Sequence, residues 1–205
     1  MSNSAIFLDR DGVINQMVYH EDFGIIDSPL NPDEFVLIKG VPEAIKSFNE
    51  LNFKVIIVSN QPGVAKAKTT LELLDEINNK MIKELDKYGA KIDDIFQCLY
   101  HPTGTEGVIN EYIRDSEFRK PKSGMILKAA EKHNIDLKKS YMVGDGIADI
   151  QAGSAAGCKT VFLGSFKCET CKKFDSINVH PDFIVKDLYE FSTKIMINEK
   201  KKFNK

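Results

Sequence analysis

No apolar run in this sequence reaches the length of a membrane span, and its start carries no basic stretch followed by an apolar one. We therefore expect a soluble, cytoplasmic protein with no membrane partner. An excess of one charge is also missing. The net formal charge is -2, which gives no general attraction to nucleic acid or anionic lipid. Cysteine is sparse: Cys98, Cys158, Cys168 and Cys171 occur without an export signal, so reduced thiols are expected rather than a disulfide framework. Internal repeats and low-complexity segments are absent ahead of the polar, basic end NEKKKFNK.

What is present is globular material. The chain has 205 residues, 42% hydrophobic and 28% charged, enough to bury a core within one domain. We expect that domain over residues 1–197 and a disordered polar tail over 198–205. Short apolar runs alternate with helical spacing. AIFL, KVIIVSN, DIFQCLY, SYMVGD, KTVFLG and DFIV read as strands. Between them, Val41, Ala44, Ile45, Phe48 and Leu51 recur at helical spacing behind Pro42, and Thr69-x-x-Glu72 resembles a capping box ahead of Leu71, Leu74, Ile77, Met81 and Leu85. SGMILKAAEKHNI, IADIQAGSAAG and LYEFSTKIMI supply three more helices. Strands without polar alternation, separated by helices, predict an α/β fold: a doubly wound, mostly parallel sheet covered on both faces.

In such sheets the site lies beyond the carboxyl ends of the strands, so what each strand ends in matters. AIFL ends in Asp9 and Asp11, KVIIVSN in Ser59, Asn60 and Gln61, and SYMVGD in Gly144 and Asp145, with Asp149 close behind. On an extended chain, Asp9 and Asp11 face one point while Arg10 turns aside. With Asp145 they make an oxygen-rich acidic site that suits magnesium. A carboxylate can attack phosphorus, and a second can give and take the proton. Ser59 can hydrogen-bond phosphoryl oxygens, Lys120 in FRKPKSG can stabilise the transferring charge, and Gly12 leaves backbone amides free to face an anion. Taken singly, an Asp pair is also a common turn or helix cap, and RKP a solvated basic pair. Four such signals in order at strand ends and following loops carry the weight jointly.

FLDRDG, VSNQ, RKP and VGDGIAD resemble the four motifs of the haloacid-dehalogenase (HAD) type phosphatases. LDRDGVIN, NQPGVA and RKPKSGM resemble the subgroup that holds heptose bisphosphate and histidinol-phosphate phosphatases, over about residues 5–163. The resemblance implies a Rossmann-like core without a large cap domain, and a magnesium-dependent phosphomonoesterase working through an aspartyl-phosphate. It implies Asp9 as nucleophile, Asp11 as general acid/base, and Ser59 and Lys120 on the phosphoryl group. Asp9, Asp11 (through its main-chain carbonyl) and Asp145 would hold the metal, Asp149 would support it, and Asn60 and Arg119 would line the substrate side. The implied partner is a small phosphorylated metabolite, first a heptose bisphosphate and second histidinol phosphate; the protein would be a monomer or weak homo-oligomer. A nucleic-acid 3'-phosphatase shares the early motifs, but no basic stripe supports it. A non-catalytic binding module on this fold would have lost Asp9 or Asp11, and both are present.

The sequence departs from the subgroup in one loop. Many members carry a structural zinc there, on Cys-x-His and then Cys-x-Cys directly before the Arg. Here Cys98 matches the first ligand, Tyr100 stands in place of the His, His101 comes one place late, and Ser116 and Phe118 replace the later cysteines. One ligand cannot build a tetrahedral site, so no zinc is expected in the 98–118 loop, and Tyr100, Tyr112 and Phe118 are expected to stiffen it by packing. Cys168-x-x-Cys171 supplies two ligands only and is read as ordinary thiols; His180 or Cys98 would be needed to complete a metal site there. The segment from Gln16 to Lys39 is long enough to be a substrate rim or a connector packed on the sheet edge. His20 and His133 are read as a loop residue and the end of a helix face, without a role.

Overall fold

The structure is a computed structural model that describes residues 3–21, 24–105, 110–164 and 168–203. Strand β1 (Ala5–Leu8) is followed by a small antiparallel hairpin, β2 (Val18–His20) and β3 (Ile25–Asp27). Then come helix α1 (Val41–Glu50), β4 (Lys54–Asn60), α2 (Leu71–Asp86), β5 (Asp94–Cys98), α3 (Gly124–His133), β6 (Tyr141–Gly144), α4 (Ile147–Ala156), β7 (Lys159–Leu163), α5 (Cys168–Ile177), β8 (Phe183–Val185) and α6 (Leu188–Phe203). The main sheet runs β5-β4-β1-β6-β7-β8, and every neighbouring pair in it is parallel.

The continuous apolar strands follow from burial on both faces. Side chains alternate across a strand, so β1 splits its four residues between two cores. Ile6 and Leu8 join Val55 and Ile57 on one face, under Phe48 of α1, Ile77 of α2 and Phe191 of α6. Ala5 and Phe7 join Ile56, Val58 and Met142 on the other, under Ile126 and Ala129 of α3 and Ala152 of α4. Each of these large apolar side chains contributes about 1.5–3 kcal/mol by leaving water. In register, Leu8 lies between Ile57 and Val143. The three strands that carry the acidic and hydroxyl residues therefore end side by side at the centre of the sheet.

Local details differ from the sequence reading. Helix α2 is capped by Thr70, whose hydroxyl accepts from the Leu73 N–H at 3.3 Å. Thr69 instead donates to the Leu30 carbonyl at 2.7 Å. The capping-box reading is thus one residue off, because it is Thr70 that takes the extended backbone a cap needs. Helix α5 has no counterpart in the sequence pattern, since CETCKKFDSI offers few apolar residues to set a period. The segment from Gln16 to Lys39 is not a bare loop: it holds the β2–β3 hairpin and a short 3-10 turn, Pro32–Glu34, capped by Asn31. Residues 198–203 of the tail expected to be disordered continue α6. No glycine or proline interrupts the chain from Leu188 to Phe203, so nothing stops the helix earlier.

The 98–118 loop packs on aromatic rings among its described residues. Tyr100 and Tyr112 lie 5.9 Å apart, and the Arg114 guanidinium stands 4.2 Å over the Tyr100 ring. Phe118 packs against the core cluster that includes buried Cys98, Met125 and Ile126. In α5, Cys171 is exposed, and the Cys168 side chain lies outside the described residues. Four strand spacings, about 19 Å, separate β5 from β7, so Cys98 is out of reach of Cys171.

Candidate active site

Two glycines let the strand ends meet. After β1 the chain turns, with the Ile14 N–H bonded to the Arg10 carbonyl at 2.8 Å. Gly12 sits in this turn at φ +81°, and a Cβ there would stand 2.1 Å from Oδ2 of Asp145. At the end of β6, a Cβ on Gly144 would stand 2.2 Å from Cβ of Asp149 in the first turn of α4. Any larger residue at either place would push the acidic groups apart.

Asp9, Asp145 and Asp149 each present a carboxylate oxygen within 4.8 Å of the others. Lys120 reaches into them from the loop ahead of α3. Its Nζ lies 2.6 Å from Asp149 Oδ1, 2.9 Å from Asp9 Oδ1 and 2.8 Å from the Val58 carbonyl, and the residue is only 4% exposed. Burial would lower the ammonium's pKa, but Asp149 and Asp9 outweigh it and push it up to about 12. Asp145 forms no ion pair among the described residues and feels Lys120 only at a distance. Although one edge opens to solvent, crowding by protein, then the charges of Asp9 and Asp149, push its carboxyl up to about 7. Hard oxygen donors with excess negative charge and an open side fit a magnesium ion beside Asp9 and Asp145.

The Asp11 carboxylate does not join this cluster. Arg10 does not turn aside from it either: the guanidinium is fully buried and donates to Asp11 through Nε at 3.1 Å and Nη2 at 3.2 Å. Gln61 Nε2 donates to Asp11 at 2.6 Å, and Asn15 Nδ2 at 3.0 Å. The alternation that would aim Asp9 and Asp11 at one point holds only while the chain stays extended, and β1 ends at Leu8. Any contact of Asp11 with a metal beside Asp9 is left to its main-chain carbonyl.

Ser59 is buried and accepts from Gln61 at 3.0 Å, so Gln61 joins Ser59 to Asp11. Asn60 forms a two-way pair with the Lys120 main chain, donating to its carbonyl and accepting from its N–H, both at 3.0 Å. Arg119 is half-buried and donates to the Tyr100 carbonyl at 3.3 Å. Asp9, Asp11, Ser59, Asn60 and Asp145 border a cleft of about 240 Å³. Met17, Asp27 and Ser28 of the hairpin segment also line it, and the Lys68–Asp27 ion pair, 2.5 Å, ties the hairpin to the loop after β4. A larger depression of about 410 Å³ lies by Gly164, Val185 and Glu190, but among the described residues only the central cleft holds a cluster of metal-binding groups. The sequence reading gave no role to Arg10 or Gln61. A charge between two acids and a glutamine two residues after Ser59 were the signals available.

Residues 117–191 match the model of the HAD-hydrolase-like family. Over 159 residues the chain is 38% identical to the D-glycero-beta-D-manno-heptose-1,7-bisphosphate 7-phosphatase of Yersinia pestis, covering 78% of this chain and 79% of that one. It is 37% identical over 163 residues to the D-glycero-alpha-D-manno-heptose-1,7-bisphosphate 7-phosphatase of Burkholderia mallei, covering 80% of each. The crystal structure of a D,D-heptose 1,7-bisphosphate phosphatase from B. bronchiseptica, complexed with magnesium and phosphate, matches 95% of this chain and 99% of its own with a TM-score of 0.75 and 28% identity. Similarity of this extent and level makes the chain a phosphoric monoester hydrolase that belongs to the HAD-type phosphatases, in the subgroup of the heptose bisphosphate phosphatases.

Proposed function

We propose that the chain removes one phosphate from a heptose 1,7-bisphosphate, with magnesium, through a phosphoryl group carried on Asp9. The observation that carries this reading is the asymmetry of the Asp9 carboxylate. Its Oδ1 accepts from the Arg10 N–H at 2.7 Å and from Lys120 at 2.9 Å, while Oδ2 accepts no hydrogen bond among the described residues. One oxygen is thus anchored and the other is left as a nucleophile on a residue that borders the cleft.

The free Asp9 oxygen attacks phosphorus, and the bond from phosphorus to the sugar oxygen breaks. For the general-acid role Asp11 must first take up a proton and leave the Arg10 and Gln61 donors that hold it as a carboxylate; it then gives that proton to the leaving oxygen. Asp11 then takes a proton from water, the resulting hydroxide attacks phosphorus, and the bond to Asp9 breaks to release inorganic phosphate. Lys120 and Ser59 hold the phosphoryl oxygens through the transfer. Bound by Asp9 and Asp145, magnesium supplies the positive charge that lets a carboxylate approach a phosphate dianion. The hairpin wall, with Asp27 and Ser28, meets the part of the substrate beyond the reacting phosphate.

Two measurements test this. In a phosphate-release panel of heptose 1,7-bisphosphates, histidinol phosphate, nucleoside monophosphates and a 3'-phosphorylated oligonucleotide, the heptose bisphosphate should lead in kcat/KM by about 100-fold or more. A higher value for histidinol phosphate would reassign the substrate. Dialysis against EDTA should abolish turnover, and added magnesium should restore it and raise the melting temperature with concentration. Full activity in EDTA would remove the metal from the reading.

A further inference from the structure

The sequence puts Asn60 on the substrate side; its hydrogen bonds point elsewhere. Lys120 is carried by the long connection between β5 and α3, in which the described residues form turns and one isolated bridge, His101 to Ile113, but no helix or strand. Yet its ammonium must stand between Asp9 and Asp149, 2.9 Å from one and 2.6 Å from the other. The Asn60 amide closes a ring on the Lys120 main chain, Oδ1 accepting from its N–H and Nδ2 donating to its carbonyl, both at 3.0 Å. The partners fix the amide's orientation, because a main-chain N–H must meet oxygen and a carbonyl must meet N–H. Two residues back on β4, the Val58 carbonyl accepts from Lys120 Nζ at 2.8 Å. The end of β4 thus holds Lys120 at both its main chain and its tip.

We propose that Asn60 is a positioning residue for Lys120: it fixes the main chain from which the ammonium reaches Asp9, and it acts on turnover through that lysine. The inference rests on the role given to Lys120 in the proposed function but not on which sugar is cleaved. Asn60→Ala is measured with p-nitrophenyl phosphate, which has no sugar, and with heptose 1,7-bisphosphate. Turnover should fall about 10- to 100-fold on both, the loss expected for a misplaced catalytic group. KM should stay within about 3-fold on both, since the Asn60 amide, although it borders the cleft, spends its hydrogen bonds on the Lys120 main chain. In a Lys120→Ala background, removing Asn60 should cost less than about 3-fold more, because the two act as a unit. The proposal is overturned if p-nitrophenyl phosphate turnover is intact and only KM for the sugar bisphosphate rises, or if the two losses multiply. Circular dichroism checks folding. Should Asn60→Ala not fold, Asn60→Thr, β-branched and suited to a strand end, is read by the same criteria. A chain that acts on another metabolite would still hydrolyse the nitrophenyl ester, so failure of the substrate reading leaves this test standing.

Discussion

Asp9→Asn should cut magnesium-dependent phosphate release by at least about 10⁴-fold, the scale seen when a nucleophile is removed from a working catalytic group. The substitution is nearly isosteric. Its amide oxygen still accepts from the Arg10 N–H, and Lys120 keeps its shorter contact to Asp149, 2.6 Å. What is lost is the charge and nucleophilicity of the oxygen that forms the bond to phosphorus. Asp145 loses one of the charges that raise its carboxyl, so it moves back toward the ordinary range. The melting temperature should therefore change little while turnover collapses. Intact-mass analysis should find a phosphoryl adduct on the parent protein during turnover and none on the variant. Residual activity above about 1% of the parent would sink the nucleophile assignment, since loss of a nucleophile costs far more than that.

Lys120→Ala should be the most damaging single change to stability, and it should slow turnover as well. Lys120 and Asp149 are 4% and 2% exposed. Removing the ammonium leaves the Asp149 carboxylate buried without its countercharge and takes a donor from the Val58 carbonyl. Breaking a buried pair this way costs about 3–5 kcal/mol, measurable by urea or thermal unfolding. Loss of a group that stabilises transferring charge costs about 10²- to 10³-fold in kcat. Lys120→Met with Asp149→Leu separates the two effects. Replacing both partners by apolar residues should recover most of the stability, because the desolvation cost goes with the charges, while turnover stays low. If the double variant recovers activity along with stability, Lys120 serves the fold and not the reaction.

The parts of the site that the sequence made legible are those set by strand ends. AIFL, KVIIVSN and YMVG are buried strands, and the residues at or just past their ends, Asp9, Ser59 and Asp145, border one cleft because parallel neighbours end together. The parts that were hidden depend on what the chain does once it leaves the sheet. The Arg10 clamp on Asp11 needs the turn from Arg10 to Asn15, which strand periodicity does not describe. Asn60 and Lys120 meet across a distance in sequence that no local pattern encodes. The hairpin strands have three residues each, too few for an alternation to show, and α5 has too few apolar residues to betray its period. Asp149 was expected as a support for the metal site; its ion pair with Lys120 follows from the close approach of Gly144 to the first turn of α4.

The position of β1 has a bearing on how the molecule is made. The first strand of the chain lies in the middle of the sheet, and the Asp9 N–H bonds to the carbonyl of Val143. During synthesis β1 can pair with β4 early, but its other edge stays open until the ribosome has delivered β6. Parallel pairings between such distant segments form slowly, and an open apolar strand edge is what nascent chains aggregate through. The same late strand brings Asp145 and, one turn on, Asp149. Closing the sheet and completing the catalytic centre are therefore one event.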